Sequence, residues 1–330
     1  MEFDVVERHK CPTCSSKQSI VLFSTYDDRY GQPDMFTVLE CKKCGTCYIR
    51  EAIVPEQLGS LYKKYYGHNP VSDSHIQTPK AAHRVSSLSK IIGLIQRRLW
   101  IRTIYEVWFR AWTAERVLDW AIHRNECVLD VGCGNGHLAE PVMRRGARWT
   151  GLEIDPVRCQ TMRDRGLGCL CGTLETVKLP EGSYDSIIAS QVIEHASDPK
   201  QFLMHCVKVL QSGGRVLVST PNAASRYRRI YGQNWIHWFV PYHQVLFQVQ
   251  SLKNLAQQCG LEMHKYRTET PSTWGQLQLN YQRPPRGEIG VWRNRGAVSR
   301  LQPDMLSLSL RLGDIFQGNG DALIAELVKP

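Results

Sequence analysis

Two kinds of apolar spacing divide the chain. Near the N-terminus, apolar and polar residues alternate over Ile20 to Phe23 and again over Phe36 to Leu39, the period of two strands that pair as a hairpin. From Pro55 the spacing changes to three and four, with Leu58, Leu61, Tyr62, Tyr65 and Tyr66 on one helical face. These tyrosines suit a core or the wall of a pocket. Gly67-His68-Asn69-Pro70 breaks the helix, and the polar stretch to Thr78-Pro79 reads as a loop. From about Ser89 to Ala121, Ile91, Ile95, Leu99, Ile104, Tyr105, Trp108 and Trp112 fall close to one face, with Arg98, Arg102, Glu106 and Arg110 on another. Such a helix packs on a neighbouring domain or lies at a membrane interface.

Beyond Arg124, short apolar strands alternate with helices. Strands are expected at Cys127 to Val131, Trp149 to Ile154, Cys169 to Cys171, Ser186 to Ser190 and Arg215 to Ser219. Helices are expected at His137 to Arg145, from Pro156, and at Pro199 to Leu210. This alternation predicts an α/β fold with a doubly wound parallel sheet and right-handed crossovers. Pro271 to Leu312 reads poorly: Arg283-Pro284-Pro285-Arg286-Gly287 resembles a loop, and Met305 to Ile315 a helix before a last strand near Gly320 to Ile324. The division expected is a small module over residues 1–50, a helical, substrate-side linker over 51–122 and the α/β domain over 123–330.

The cysteines change the reading of the first module. Cys11-Pro12-Thr13-Cys14 and Cys41-Lys42-Lys43-Cys44 are two CxxC knuckles, which the intervening hairpin brings together. Four thiolates complete a tetrahedral zinc site with no open position, so its expected role is structural. Cys47 is a spare thiol. The start MEFDVVERHK has no basic segment followed by an apolar core, and no apolar run of about 18 residues occurs, so neither a secretory signal nor a transmembrane helix is expected. Reduced thiols and a cytoplasmic location follow as expectations for the 12 cysteines. The net charge of +10 suits an anionic partner without choosing one.

The stretch Val128 to Glu140, VLDVGCGNGHLAE, passes from a strand that ends in acid through clustered glycines into a helix start. Gly132, Gly134 and Gly136 let a ligand approach the backbone, and the helix start offers free N–H groups. Glu153, at the end of the second strand, is placed to accept hydrogen bonds from two ribose hydroxyls. The spacing differs from the dinucleotide fingerprint. Taken in order, VLDVGCGNG, GLEIDP, SYDSII, QVIEHASDP and LQSGGRVLVSTPN resemble the successive motifs of class I S-adenosylmethionine-dependent methyltransferases over roughly Cys127 to Arg267. The zinc ribbon, Tyr62 to Tyr66 and Pro241-Tyr242-His243 resemble the bacterial members that act on sugars, glycans and secondary metabolites.

The resemblance implies a Rossmann-like methyltransferase sheet and a set of roles. Gly132, Cys133, Gly134 and Gly136 would carry the methionine part, Asp130 would orient the loop from beneath, and Glu153 would hold the ribose. Thr173 and Leu174 would border the adenine, and Ser190 and Gln191 would face cofactor and acceptor. His195 is the first candidate base, because imidazole titrates near neutral pH, and His243 the second. His195 also suits a bracing role in its loop. Some related O-methyltransferases bind a divalent metal through acids near the EH pair; Gln191 stands where one acid would be, so no catalytic metal is expected. Arg226 to Arg229 and the aromatic run Trp238 to His243 suit a glycan or phosphate-bearing acceptor.

The expected activity is methyl transfer from S-adenosylmethionine to a sugar, glycan precursor or other small metabolite, with peripheral membrane contact as one way to reach a lipid-linked acceptor. Two alternatives stand beside it: an RNA methyltransferase, against which no Asn-Pro-Pro-Tyr-like motif follows the fourth strand, and a cofactor-binding protein without activity. Nucleic acid is therefore not the expected partner. Oligomeric state is left open.

Overall fold

The computed structural model describes residues 1–66, 122–290 and 318–330. The amphipathic stretch at 89–121 and the helix expected at 305–315 lie outside the described residues. In the N-terminal part, β1 (Val5–Glu7), β2 (Ser19–Tyr26), β3 (Met35–Cys41), β4 (Cys47–Ile49) and β5 (Glu51–Ile53) precede α1 (Pro55–Leu61) and a π-helical turn over Tyr62–Tyr66. The expected hairpin is β2 with β3, antiparallel, with Ser19 opposite Cys41.

The second part runs β6 (Cys127–Val131), α2 (Ala139–Arg144), β7 (Arg148–Glu153), α3 (Pro156–Asp164), β8 (Cys169–Cys171), β9 (Tyr184–Ser190), a 3-10 turn over Ile193–His195, α4 (Pro199–Val209) and β10 (Leu210–Pro221). It continues with α5 (Arg226–Tyr231), β11 (Val245–Leu246), α6 (Val249–Gln258), β12 (Glu262–Glu269), α7 (Ser272–Asn280) and β13 (Ala322–Val328). Helix starts follow their sequence signals. Asp155 caps α3 by accepting from the Val157 N–H at 2.9 Å, and Asp198 caps α4 through Lys200 and Gln201, each helix having proline in its first turn.

The main sheet has seven strands in the order β12-β13-β10-β9-β6-β7-β8. β6 to β10 are parallel, as the alternation predicts, but β13 is antiparallel to both β10 and β12. The sheet is therefore mixed. The turn of strand order lies between β6 and β9, and ligands of open α/β sheets bind beyond the carboxyl ends of strands at such a point.

The N-terminal part does not fold as a separate bead. β11 extends its sheet, giving the order β11-β4-β3-β2, with Val245 opposite Tyr48. One continuous apolar core joins Leu39, Cys44 and Tyr48 to Leu129, Ile187 and Val218 of the large sheet. A second packs Phe36, Ile49 and Leu61 against Tyr227, Trp235 and Tyr242. Burial on this scale, at roughly 1.5–3 kcal/mol per large side chain, holds the two parts as one body.

Candidate functional site

The zinc-ligand candidates come together as expected. Each knuckle closes with a residue at positive φ, Ser15 and Gly45, whose N–H donates to the carbonyl of the first cysteine at 2.9 Å. Cys11 and Cys44 bring their sulfurs to 3.6 Å, and Cys14 and Cys41 do the same, with all four within 4.8 Å of one another. Tetrahedral zinc with Zn–S bonds of about 2.3 Å spaces its sulfurs by about 3.8 Å, so the donor set fits that ion. Hydrogen bonding from Cys11 draws the Cys44 thiol down to about 4, while the same contact pushes Cys11 up. A bound cation removes that conflict by accepting four thiolates. Cys47 stays apart in a buried site that pushes its thiol up to about 12.

At the carboxyl end of β6, Gly132, Gly134 and Gly136 take positive φ values of 63°, 55° and 71°, a region that only glycine enters freely. A Cβ on Gly132 would come within 2.7 Å of Val192 Cγ2. The glycine loop thus lies directly on the segment that leads into the Ile193–His195 turn.

Glu153 is buried at the end of β7 and pins this loop: its Oε2 accepts from the Gly134 N–H at 2.8 Å and its Oε1 from the Asp155 N–H at 3.0 Å. Each oxygen keeps a second lone pair, which is the capacity a ribose would use. The loop therefore fits the cofactor expected from the sequence: glycines clear the approach, and a carboxylate with lone pairs to spare stands at the end of β7.

Other expected contacts are arranged differently. Asp130 is buried and accepts from Trp149 Nε1 at 3.1 Å, and burial lifts its carboxyl to about 7; its side chain braces β6 against β7 beneath the loop. Cys133 turns its sulfur into the interior, 3.7 Å from Met162 Sδ, so only its backbone belongs to the loop surface. Leu174 joins the apolar core, while Thr173 is tied to Thr176. Ser190 closes β9. Gln191, at φ 58°, donates its amide N–H to Ser219 Oγ at 3.0 Å and is thereby held along β10.

His195 and His243 meet although the chain separates them widely, with ring centroids 4.7 Å apart. His195 Nδ1 lies 3.0 Å from the Tyr242 carbonyl and 2.8 Å from the Tyr62 hydroxyl. A carbonyl can only accept, so in the neutral ring the proton sits on Nδ1 and the lone pair on Nε2. His243 Nδ1 likewise donates to the His237 carbonyl at 2.7 Å. Burial lowers His195 to about 4 and drives His243 well below the usual imidazole range, with His195 adding to the effect. Both rings are neutral near pH 7. Glu194 is fully buried beside them, its carboxyl pushed up to about 8 by that burial.

Residues that the sequence did not mark complete the surroundings. Arg29 lies over the Phe239 ring at 3.9 Å and donates to the Ile236 carbonyl. Tyr30 packs edge-on against Tyr242 at 5.4 Å, and Phe239 stacks on Tyr242 at 4.7 Å. Arg29 and Tyr30 sit in the connection from β2 to β3, where no local pattern links them to a histidine far along the chain. Of the basic run, Arg228 is paired with Glu40 and donates to the Ala223 carbonyl, so it supports the fold. Among the described residues no helix is long and apolar enough to cross a membrane.

Comparisons with known proteins agree with this geometry. A family model described as "Methyltransferase domain" matches residues 104–266. The chain is 38% identical over 119 residues to a probable S-adenosylmethionine-dependent methyltransferase of Mycolicibacterium smegmatis, covering 35% of this chain and 46% of that one. It is 35% identical over 100 residues to a ubiquinone biosynthesis O-methyltransferase of Parvibaculum lavamentivorans, covering 28% and 40%. The chain thus spans less than half the length of these curated relatives. A solved S-adenosylmethionine-dependent methyltransferase of Archaeoglobus fulgidus is similar with 17% identity and a TM-score of 0.45, covering 70% of this chain and 100% of that one. Sheet order, glycine loop and family match together make residues 104–266 a class I S-adenosylmethionine-dependent methyltransferase domain.

Proposed function

We propose that the protein is a methyltransferase that moves the methyl group of S-adenosylmethionine to a small acceptor: a sugar, a glycan precursor or another small metabolite. The observation that carries this reading is the contact between Gly132 and Val192, which sets the donor cradle directly against the turn that bears His195. In the transfer the carbon–sulfur bond breaks and its electron pair stays on sulfur, giving a neutral thioether. The acceptor's lone pair forms the new bond to carbon. Holding the two in line supplies several kcal/mol of the barrier reduction.

A hydroxyl or acidic carbon must also shed a proton. Activation of that atom is assigned to the group made by Glu194, His195 and His243, where Nε2 lone pairs are available on neutral rings. Glu153 is assigned to the ribose, with Thr173 and the backbone near it beside the adenine. The surrounding tyrosines, Phe239 and Arg29 suit an acceptor with a flat or anionic part. The likeness to ubiquinone biosynthesis O-methyltransferases favours oxygen as the atom methylated and gives a second reading, a phenolic acceptor.

Calorimetry with S-adenosylhomocysteine, followed by transfer of labelled methyl to a panel of nucleotide sugars, glycan intermediates and catechols, tests the proposal. Binding together with label in the sugar fraction is the expected result. Label confined to catechols moves the assignment to the second reading, and absence of binding refutes both.

A further inference from the structure

Four cysteines outside the N-terminal cluster stand together on one face of the large sheet. In the parallel pairing of β7 with β8, Gly151 lies opposite Cys169 and Glu153 opposite Cys171. Cys169 and Cys171 are two residues apart on one strand, so their side chains leave the same face about 7 Å from each other. α3 covers that face, where its Cys159 and Met162 share one core with Cys169 and with Cys133 of the glycine loop. The Cys159 sulfur lies 3.2 Å from the Glu153 carbonyl and 3.9 Å from the Leu170 carbonyl, and the Cys169 sulfur lies 3.5 Å from that same Leu170 carbonyl. Cys159 is thus seated over β8 between two thiols. Burial, then hydrogen bonds with Cys171 and Cys169, push its own thiol up.

Exposure separates the four. Cys133, Cys159 and Cys169 are buried, whereas Cys171 is exposed at the strand end. Access and thiolate character decide which thiol an oxidant reaches, and a resolving thiol beside it decides what forms next.

We propose that Cys171 and Cys159 are an oxidation site, a thiol pair that hydrogen peroxide closes to a disulfide between β8 and α3. The Cys171 thiolate attacks one oxygen of the peroxide; the O–O bond breaks, hydroxide leaves, and Cys171 carries a sulfenic acid. The Cys159 sulfur then attacks the Cys171 sulfur. The S–O bond breaks, and the departing hydroxide takes the Cys159 proton and leaves as water. The two thiols give up two electrons and two protons, and the peroxide ends as two waters.

An S–S bond of about 2.05 Å draws the sulfurs together from contact distance, so the end of β8 moves toward α3. In the reduced chain the Glu153 carbonyl accepts from the Gly172 N–H at 2.8 Å and from the Cys159 S–H, which steadies the strand end whose carboxylate pins Gly134. Oxidation removes the S–H donor and shifts the backbone that leads to Thr173. Cofactor affinity is therefore lower in the oxidised chain. This consequence rests on the methyltransferase reading; the disulfide itself does not.

The test uses the full chain, reduced and supplied with zinc to shield the N-terminal cysteines. A small excess of hydrogen peroxide is added, and the product is cut with trypsin without reduction. Mass spectrometry is expected to show residues 159–163 joined to residues 166–178 through Cys171, and the joined pair is expected to vanish on reduction and in Cys171→Ser. Calorimetry with S-adenosylhomocysteine on the same samples is expected to show affinity lower by about fivefold after peroxide in the parent, the effect of one lost hydrogen bond, and unchanged in Cys171→Ser. Absence of the link, or a link through Cys169, overturns the site and leaves methyl transfer standing. A link that leaves affinity unchanged, or an equal fall in Cys171→Ser, overturns the coupling to the cofactor. Failure of the reduced parent to bind the cofactor product, with the link formed, refutes the methyltransferase reading alone. If Cys171→Ser does not fold, Cys159→Ser carries the comparison.

Discussion

Replacing Glu153 by glutamine separates the pinning of the glycine loop from the holding of a ribose. The carboxylate accepts two backbone N–H groups, Gly134 on one oxygen and Asp155 on the other, at 2.8 and 3.0 Å. An amide of the same shape keeps one oxygen and turns an NH2 toward the remaining N–H. A hydrogen bond to a charged acceptor contributes about 1.5–3 kcal/mol, and here it is replaced by two donors facing each other. The loop is then disordered or shifted in the free protein and has to be re-formed when cofactor binds. At about 1.4 kcal/mol per factor of ten, affinity for S-adenosylhomocysteine falls roughly 10- to 150-fold. Calorimetry gives the affinity, and amide hydrogen exchange at Gly134 reports the loop directly. Affinity within threefold of the parent, with the Gly134 amide still protected, would show that the carboxylate neither orders the loop nor meets the ribose.

Gly132→Ala is expected to abolish cofactor binding while leaving most of the fold, since it adds a Cβ 2.7 Å from Val192 Cγ2 at a φ of 63°; a measured affinity near the parent value would contradict the tight contact. The Asp130 carboxyl, raised from 3.8 to about 7 by burial, stays protonated longer in the folded chain than in the unfolded one. Its contribution to stability is full below pH 4 and declines as pH rises through 7, so Asp130→Asn should flatten that part of the stability profile in denaturant titrations. A slope unchanged by the substitution would show that Asp130 is ionised without penalty. Tyr62→Phe removes the hydroxyl 2.8 Å from His195 Nδ1 and should lower turnover several-fold at unchanged cofactor affinity; equal loss of both would mean that the residue supports the fold and not the ring's orientation. Stripping zinc with a chelator should reduce the melting temperature by more than 10 °C, on the order of a few kcal/mol for a chain of this size, and scanning calorimetry before and after zinc return checks it.

Local signals were legible wherever a few adjacent residues determine the chemistry. The knuckles at Cys11 and Cys41, the hairpin between them, the glycine loop and Glu153 all come from short stretches whose geometry is set by their neighbours. What the sequence left open is the direction in which a side chain turns. Gln191 follows a strand that ends at the site, yet its amide runs along the sheet to Ser219; Cys133 lies in the loop, yet its sulfur points into the core. Neither choice has a periodic signature. The antiparallel entry of β13 is also silent in the sequence, because an apolar strand reads the same in both directions. Glu194 was visible only as the neighbour of His195, and its nearness to His243 appears only once the chain has folded.

The joining of the two parts bears on what a zinc ion at the four cysteines would do. Arg8, just before the first knuckle, donates to the Ser197 carbonyl at 2.6 Å and to the Gln244 carbonyl at 3.0 Å, the residues that follow His195 and His243. Gln248 reaches back to the Gly45 carbonyl in the second knuckle, and β11 completes the sheet of the N-terminal part. The backbone on both sides of the histidine pair is therefore held by groups whose positions the four cysteines fix. Tyr62, Arg29 and Tyr30 come from the same part and line the surroundings of the rings. A zinc ion at the four cysteines would thus act on the histidine pair through the backbone it anchors, while the loop at Gly132 to Gly136 depends on β6, β7 and Glu153. The glycine loop lies in the part that the methyltransferase model matches, and the histidine pair is built where the N-terminal part meets the segment from Trp235 to Leu246.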